Sequence, residues 1–179
     1  MNDTEPPPHG AGETEAFELE NFLPYRLSLL TNTVSEGIAR GYRERHDIGV
    51  PEWRVIAVLG RFPGLAASEI AERTAMDKVT VSRAVRRLRD NGLLERRPDA
   101  ADRRRQRLHL TRDGGHEVLQ HVVPLARDYE KRLLDALSGK ERNLLRSMLG
   151  KLQDRALAIN QSNGTEFQNR GRANKKGRE

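Results

Sequence analysis

The chain of 179 residues contains no cysteine. That excludes a disulfide framework and any thiol-based redox sensor. It also removes the ligand most structural zinc sites need, and the five histidines left are scattered. Aromatic residues make up only 4% of the chain. No apolar run approaches the about 18 residues of a membrane helix. The N-terminus is acidic and has no apolar core of the kind that marks a secretory signal. No phosphate-binding glycine loop, nucleophile elbow or His/Glu metal motif is present, so nothing points to an enzyme. A soluble, cytoplasmic protein without cofactor, metal or membrane partner is expected.

What the chain does have is charge. Asp, Glu, Lys and Arg make up 32% of it, the formal net charge is +6, and the mean hydropathy is −0.77. A basic chain seeks polyanions, nucleic acid first. The charge is unevenly placed. Asp3, Glu5, Glu13, Glu15, Glu18 and Glu20 stand in a stretch without Lys or Arg. Most of the positive excess lies between Lys78 and Arg112, and Arg170, Arg172, Lys175, Lys176 and Arg178 form a second basic run. Composition predicts disordered arms over residues 1–20 and 159–179.

Between the arms the apolar period is helical. Leu23, Leu27, Leu30, Val34 and Ile38 step by three or four, which predicts a helix from about Phe22 to Arg45. Pro51 suits the first position of a second helix, which continues through Trp53, Ile56, Ala57, Leu59 and Gly60 to the Phe62-Pro63-Gly64 turn. A short helix over about Ala67 to Thr74 follows. Asp77 caps the next, Lys78 to Asn91, which Gly92 ends. Leu93 to Arg97 and Gln106 to Thr111 read as an antiparallel pair with Leu108 and Leu110 inward and Arg107 and His109 outward. Thr111 opens a long helix to Leu137, interrupted by Pro124, where a kink is expected. Ser138-Gly-Lys-Glu141 is a capping box for a last helix carrying Leu144, Leu145, Met148, Leu149 and Leu152.

Helix, tight turn, helix and hairpin with an arginine-rich loop outline a winged helix-turn-helix. On the second helix of the motif, at about 100° per residue, Val81, Ala84, Val85 and Leu88 share one side. Val79, Arg83, Arg86 and Asp90 fall roughly opposite, flanked by Thr80, Ser82 and Arg87. The outer side suits the major groove of double-stranded DNA. Arg83 and Arg86 can pair with guanine or phosphate, Thr80 and Ser82 can reach bases or backbone, and Val79 can touch a thymine methyl. A plain solvated face is the competing reading.

From about Phe22 to Ala158 the chain resembles the MarR family of transcriptional regulators. The resemblance rests on "PEWRVIAVL", on "ASEIAERTAMDKVTVSRAVRRLRDNGLLERRPDAADRRRQRLHLT", on the helix containing Pro124, and on "LSGKERNLLRSML". Two positions depart from the common pattern: Ala66 and Ala67 where a Ser or Thr cap is frequent, and Val79 where a small polar residue is frequent.

The resemblance implies a mainly α fold with a small two- or three-stranded β wing. It implies a winged helix-turn-helix lobe over about 51–111 and dimerisation helices over about 22–45 and 112–158, together a MarR-type domain over 21–158. It implies a homodimer on a pseudo-palindromic operator, with Ser68, Lys78 and Arg105 joining the candidate DNA contacts. Asp102 becomes the wing brace, and Arg104 or Arg103 the contact to the minor groove or phosphates. Relatives that bind a small anionic aromatic between the dimer helices and the DNA-binding lobe imply a repressor released by an aromatic acid or its CoA thioester. Tyr25, Arg26, Arg40, Arg43, His46 and Trp53 are the candidates for that site. Trp53 equally suits the core, and Arg40 and Arg43 a solvated face. A DNA-coating architectural protein with little sequence preference is the alternative reading.

Overall fold

The computed structural model describes residues 17–99, 101, 102 and 104–176, with side chains through 162. The expected acidic arm lies outside the described residues up to position 16, and Leu19–Asn21 forms one turn of 3₁₀-helix. The chain divides at Ala126/Arg127 into two compact units.

The first unit begins with α1 (Leu23–Ala39), with Pro24 in its first turn. The helix expected to reach Arg45 stops six residues earlier. Gly41 and Tyr42 turn back on the carbonyls of Ile38 and Ala39, which buries Tyr42 and brings the Gly41 backbone against Leu125. A short α2 (Arg43–His46) then ends at Asp47, which takes the left-handed conformation at φ 48°.

Helix α3 (Val50–Arg61) starts after Gly49, whose N–H donates to the Glu52 carboxylate at 2.9 Å. Pro51 occupies the second helical position rather than the first. Helix α4 (Ala67–Thr74) ends at left-handed Ala75, and α5 (Lys78–Asp90) is capped by Asp77, whose carboxylate accepts from the Thr80 N–H at 2.8 Å. Gly92, at φ 70°, supplies the exit from α5 that a side chain would resist.

Strands β1 (Leu94–Pro98) and β2 (Gln106–Leu110) pair antiparallel, Leu94 opposite Leu110 and Arg96 opposite Leu108. An isolated bridge between Leu65 and Leu108 adds the rudiment of a third strand. Thr111 ties the hairpin to α6 (Gly115–Leu134): its hydroxyl donates to the Gly92 carbonyl at 2.7 Å and accepts from the Gly115 N–H at 3.0 Å. α6 continues unbroken through Pro124 and ends at Leu134, short of the expected Leu137.

One core joins these elements. Val55, Ile56 and Leu59 of α3, Ile70 of α4, Val81, Val85 and Leu88 of α5, Leu108 of β2 and Val122 of α6 are all nearly inaccessible to solvent. Burying such side chains is worth about 1.5–3 kcal/mol each, which is what holds the short α4 and the two-stranded hairpin in place.

The second unit holds the end of α6 and the long α7 (Gly139–Lys176). The capping box forms as expected: the Ser138 N–H donates to Glu141 at 2.7 Å and the Glu141 N–H to the Ser138 hydroxyl at 3.4 Å. Arg142 closes the turn by donating Nε to the carbonyls of Leu134 and Leu137. The tail expected to be disordered from 159 continues as the same helix to Lys176. Once nucleated, a helix gains one backbone bond per residue without needing an apolar period, so the period fades before the helix does. No helix among the described residues is long and apolar enough to cross a membrane.

Candidate nucleic-acid interface

Helix α5 divides sharply. Val81, Ala84, Val85 and Leu88 are buried, whereas Lys78, Val79, Ser82, Arg83 and Arg86 are exposed, Val79 by 59%. An apolar side chain held so far into solvent stabilises nothing in the free protein. Among the described residues Arg83 makes no ion pair, and Arg86 makes only a loose one to Asp90 at 3.8 Å. Their guanidiniums are therefore available to an anion.

Two neighbours are committed differently. The Thr80 hydroxyl donates to Asp77 Oδ2 at 2.6 Å, so it serves the helix cap and can only accept from a ligand. These bonds hold the Asp77 carboxyl below the usual carboxylate range, the Thr80 hydroxyl first and its N–H second. Arg87, placed by helical phase beside the outer face, instead bonds back to Asp47.

At the first turn of α4, Ala66 has no side chain with which to cap. Glu69 takes over, accepting from the Ala66 N–H at 2.7 Å. Ser68 is exposed beside it and lines a cleft with Ala66, Glu69, Arg105, Gln106 and Arg107.

The wing is braced by residues that charge counting alone passes over. Asp99 Oδ2 receives Arg107 Nε at 2.5 Å, and Arg107 Nη1 donates to Glu69 at 2.7 Å. Asp99 Oδ1 accepts from the N–H groups of Ala101 and Asp102. The Arg107 guanidinium, followed by those backbone donors, draws the Asp99 pKa down to about 2. Asp102, expected to be the brace, does lighter work. It accepts the Arg104 N–H at 3.0 Å and faces Arg105 Nε at 3.7 Å. The reason is position: Asp99 lies at the base of the loop, opposite β2, whereas Asp102 lies at the exposed tip. Arg104 and Arg105 are exposed, and Arg103 falls outside the described residues. Alternation along β2 marked Arg107 as outward; its side chain is only 27% exposed because it folds onto these two acids.

The candidate effector residues have different surroundings, and Tyr25 is exposed. Arg26 lines a shallow apolar groove on α1 with Leu23, Leu27, Leu29, Leu30 and Thr33. Arg43 is held by Glu36 through two bonds of 2.7 and 2.8 Å, which removes it as a free anion ligand. Arg40 is exposed. His46 Nε2 lies 2.8 Å from His121 Nδ1, and Arg45 lies 3.1 Å from the other nitrogen of that ring. Trp53 packs against the core with its ring 5.9 Å from that of Tyr42. Tyr42 was not singled out by the sequence. It is 1% exposed, and its hydroxyl has no hydrogen-bond partner among the described residues.

A helix-turn-helix with one unburied basic face, followed by a braced basic hairpin, defines a winged-helix DNA-binding protein. A sequence model of the MarR family matches residues 46–105. The chain is similar to the transcriptional regulator HosA of Escherichia coli, 28% identical over 116 residues, covering 65% of this chain and 85% of HosA. Its fold is similar to that of the transcriptional repressor CouR bound to a 23-mer DNA duplex, with a TM-score of 0.65 and 26% identity over 79% of this chain and 99% of that one. It also shares the fold of the PcaV transcriptional regulator of Streptomyces coelicolor, solved with its natural ligand, with a TM-score of 0.66 and 23% identity over 79% and 98% of the two chains. Over its helix-turn-helix and wing the chain is thus similar to MarR-family winged-helix transcriptional regulators.

Proposed function

We propose that the protein acts as a homodimer on a pseudo-palindromic operator, where it represses transcription until a small aromatic acid or its CoA thioester releases it. The division of α5 carries the DNA half of this reading: four apolar residues are buried, and Val79, Ser82, Arg83 and Arg86 are left in solvent. Lys78, Thr80, Ser68 and the wing arginines Arg103, Arg104 and Arg105 complete the contact set, α5 in the major groove and the wing along phosphates or the minor groove. The DNA duplex bound to CouR supports that partner.

Apolar faces support the dimer. Leu23, Leu27, Leu29 and Leu30 on α1, and Leu144, Leu145, Met148, Leu149 and Leu152 on α7, are all exposed in the single chain. Stripes of this kind mark an association surface. Residues 22–45 and 112–158 are accordingly assigned to dimerisation and 51–111 to DNA binding. A two-fold axis would then set two α5 helices about one DNA turn apart.

The effector half rests on the ligand carried by PcaV and on the unpartnered hydroxyl of Tyr42 beside Trp53. A buried hydroxyl without a partner costs free energy that a polar ligand can recover.

Footprinting the purified full-length chain on DNA upstream of its own gene, with and without aromatic acids and their CoA esters, tests the whole reading. A discrete protected inverted repeat, released by one of these compounds, is the expected result. Uniform coverage of all sequences would identify an architectural protein instead. A stable footprint indifferent to every compound would remove the effector half.

A further inference from the structure

The wing is attached to the helix-turn-helix at two separate points. The first is backbone: Leu108 N–H donates to the Leu65 carbonyl at 2.9 Å, and Gly64 N–H to the Leu108 carbonyl at 3.0 Å. The second is side chain, one residue nearer the tip. Arg107 spans from Glu69, in the first turn of α4, to Asp99, at the base of the wing loop. A single attachment leaves a hairpin free to swing as on a hinge. A second attachment on a neighbouring residue fixes its angle.

The second attachment is also continuous. Glu69 Oε2 accepts both the Ala66 N–H and Arg107 Nη1, each at 2.7 Å. Arg107 Nε reaches Asp99, and the other Asp99 oxygen holds the N–H groups of Ala101 and Asp102. An unbroken line of hydrogen bonds, most of them charge-assisted, therefore runs from the N-terminus of α4 to the turn that presents Arg104 and Arg105. Asp99 and Arg107 are largely shielded, at 15% and 27% side-chain exposure. The pairing is thus less screened than an open surface bridge. Only a planar guanidinium offers Nε and Nη1 in fixed directions to two different acids, so lysine cannot replace Arg107 in this role.

We propose that Glu69 and Arg107 are positioning residues for DNA binding: they set the angle between the wing and α4–α5, so that wing and reading helix engage one duplex together. Neither needs to touch DNA for this. The proposal rests on the winged-helix reading of the site. If the wild-type chain protects no DNA, that reading has failed; the proposal is judged on a chain that does.

The test compares the full-length wild type with R107K, E69Q and the double variant. R107K keeps the charge, and E69Q keeps an acceptor for the Ala66 N–H. Methylation protection separates the two grooves, since guanine N7 faces the major groove and adenine N3 the minor groove. Expected are retained guanine protection, lost adenine protection where the wing lies, and affinity about tenfold weaker in each single variant, with the double variant no worse than either. The salt dependence of R107K should match wild type, because no charge is lost. Thermal midpoints should stay near that of wild type. Unchanged adenine protection with affinity within about twofold of wild type would overturn the proposal. So would equal loss of both protections with a lowered midpoint, which would make the linkage a support of the fold alone.

Discussion

Arg87 of α5 reaches Asp47, forty positions earlier, and donates one Nη2 to both its carbonyl at 3.0 Å and its carboxylate at 2.8 Å. Asp47 is the residue that turns left-handed between α2 and α3, so α5 is pinned to the bend just before α3. Both side chains are well exposed, which limits what the pair contributes. R87A should lower stability by about 0.5–1 kcal/mol while leaving the footprint boundaries unchanged. Denaturant unfolding and footprinting together check this. A shortened footprint with full stability would return Arg87 to the DNA face.

That contact also marks where sequence reading stopped. The buried side of α5, the Asp77 cap, the Gly92 exit, the hairpin and the Ser138 box were legible, because each rests on local spacing. Arg87–Asp47, Arg107–Glu69 and the burial of Tyr42 join residues far apart in the chain, and no period encodes them. The halt of α1 at Ala39 is of the same kind. Nothing in "IARGYRER" breaks a helical pattern except Gly41, and it is packing against Leu125 that gives that glycine its meaning. Asp102 and Asp99 were equally acidic as letters; only the loop's geometry tells brace from tip.

Tyr42 offers a test free of DNA. Burial pushes its hydroxyl up to about 12 from 10.0, only partly opposed by Arg43, so it stays protonated at every working pH. Y42F removes a buried polar atom with no described partner. The ligand-free protein should be unchanged or more stable by up to about 1 kcal/mol. If the hydroxyl holds the effector, the same variant needs more effector to leave DNA. Calorimetric melting of the free protein and effector titration of its DNA complex give the two readings. A clear loss of stability in the free protein would mean that the hydroxyl is satisfied there.

Histidine titration should make the fold acid-sensitive. His46 is held below its usual value of 6.5, first by burial, then by His121 and Arg45, with Glu117 opposing. His109 is lowered as well, by burial and then Arg97, with Glu95 opposing. Each group is more easily protonated in the unfolded chain than in the folded one. Its contribution to stability is therefore fully present above its unfolded value and is lost as pH falls through its lower folded value. The thermal midpoint should fall between about pH 7 and pH 5, and H46N should flatten that fall. Asp99 acts in a lower window, its contribution fading only as pH drops from its ordinary 3.8 towards about 2. A flat midpoint above about pH 5 in the wild type would contradict the histidine assignment.

On the exposed face of α5, Arg83 and Val79 should behave differently. R83A removes a charge available to guanine or phosphate. A guanine contact would cost about 1–3 kcal/mol and relax preference at one base pair; a phosphate contact would weaken all sequences alike. V79A should leave the salt dependence untouched and weaken preference for thymine at one position. If helix and wing neutralise about six phosphates per dimer, log affinity should fall against log salt with a slope of about −5. A slope near zero would remove the phosphate contacts from the site.

Two glycines separate packing from propensity. A Cβ on Gly115 would collide with the Leu93 carbonyl and crowd the Cβ of Leu110, both on the strand side of the α6 start. Backbone cannot rotate away as a side-chain tip can, so G115A must displace either the hairpin or α6. The expected cost is about 1–3 kcal/mol, the range of overpacked core sites. Gly150 lies within α7 with nothing within 4 Å of its added Cβ. There alanine restricts the unfolded chain and suits the helix, so G150A should raise helix stability by about 0.5–1 kcal/mol. Gly115 also sets where the wing ends and α6 begins, through its N–H to Thr111. G115A should therefore weaken DNA binding along with the fold, whereas G150A should leave it alone. Urea titrations and operator affinities measured on the same two proteins decide both points, and an unperturbed G115A would mean that the hairpin is not anchored at Gly115.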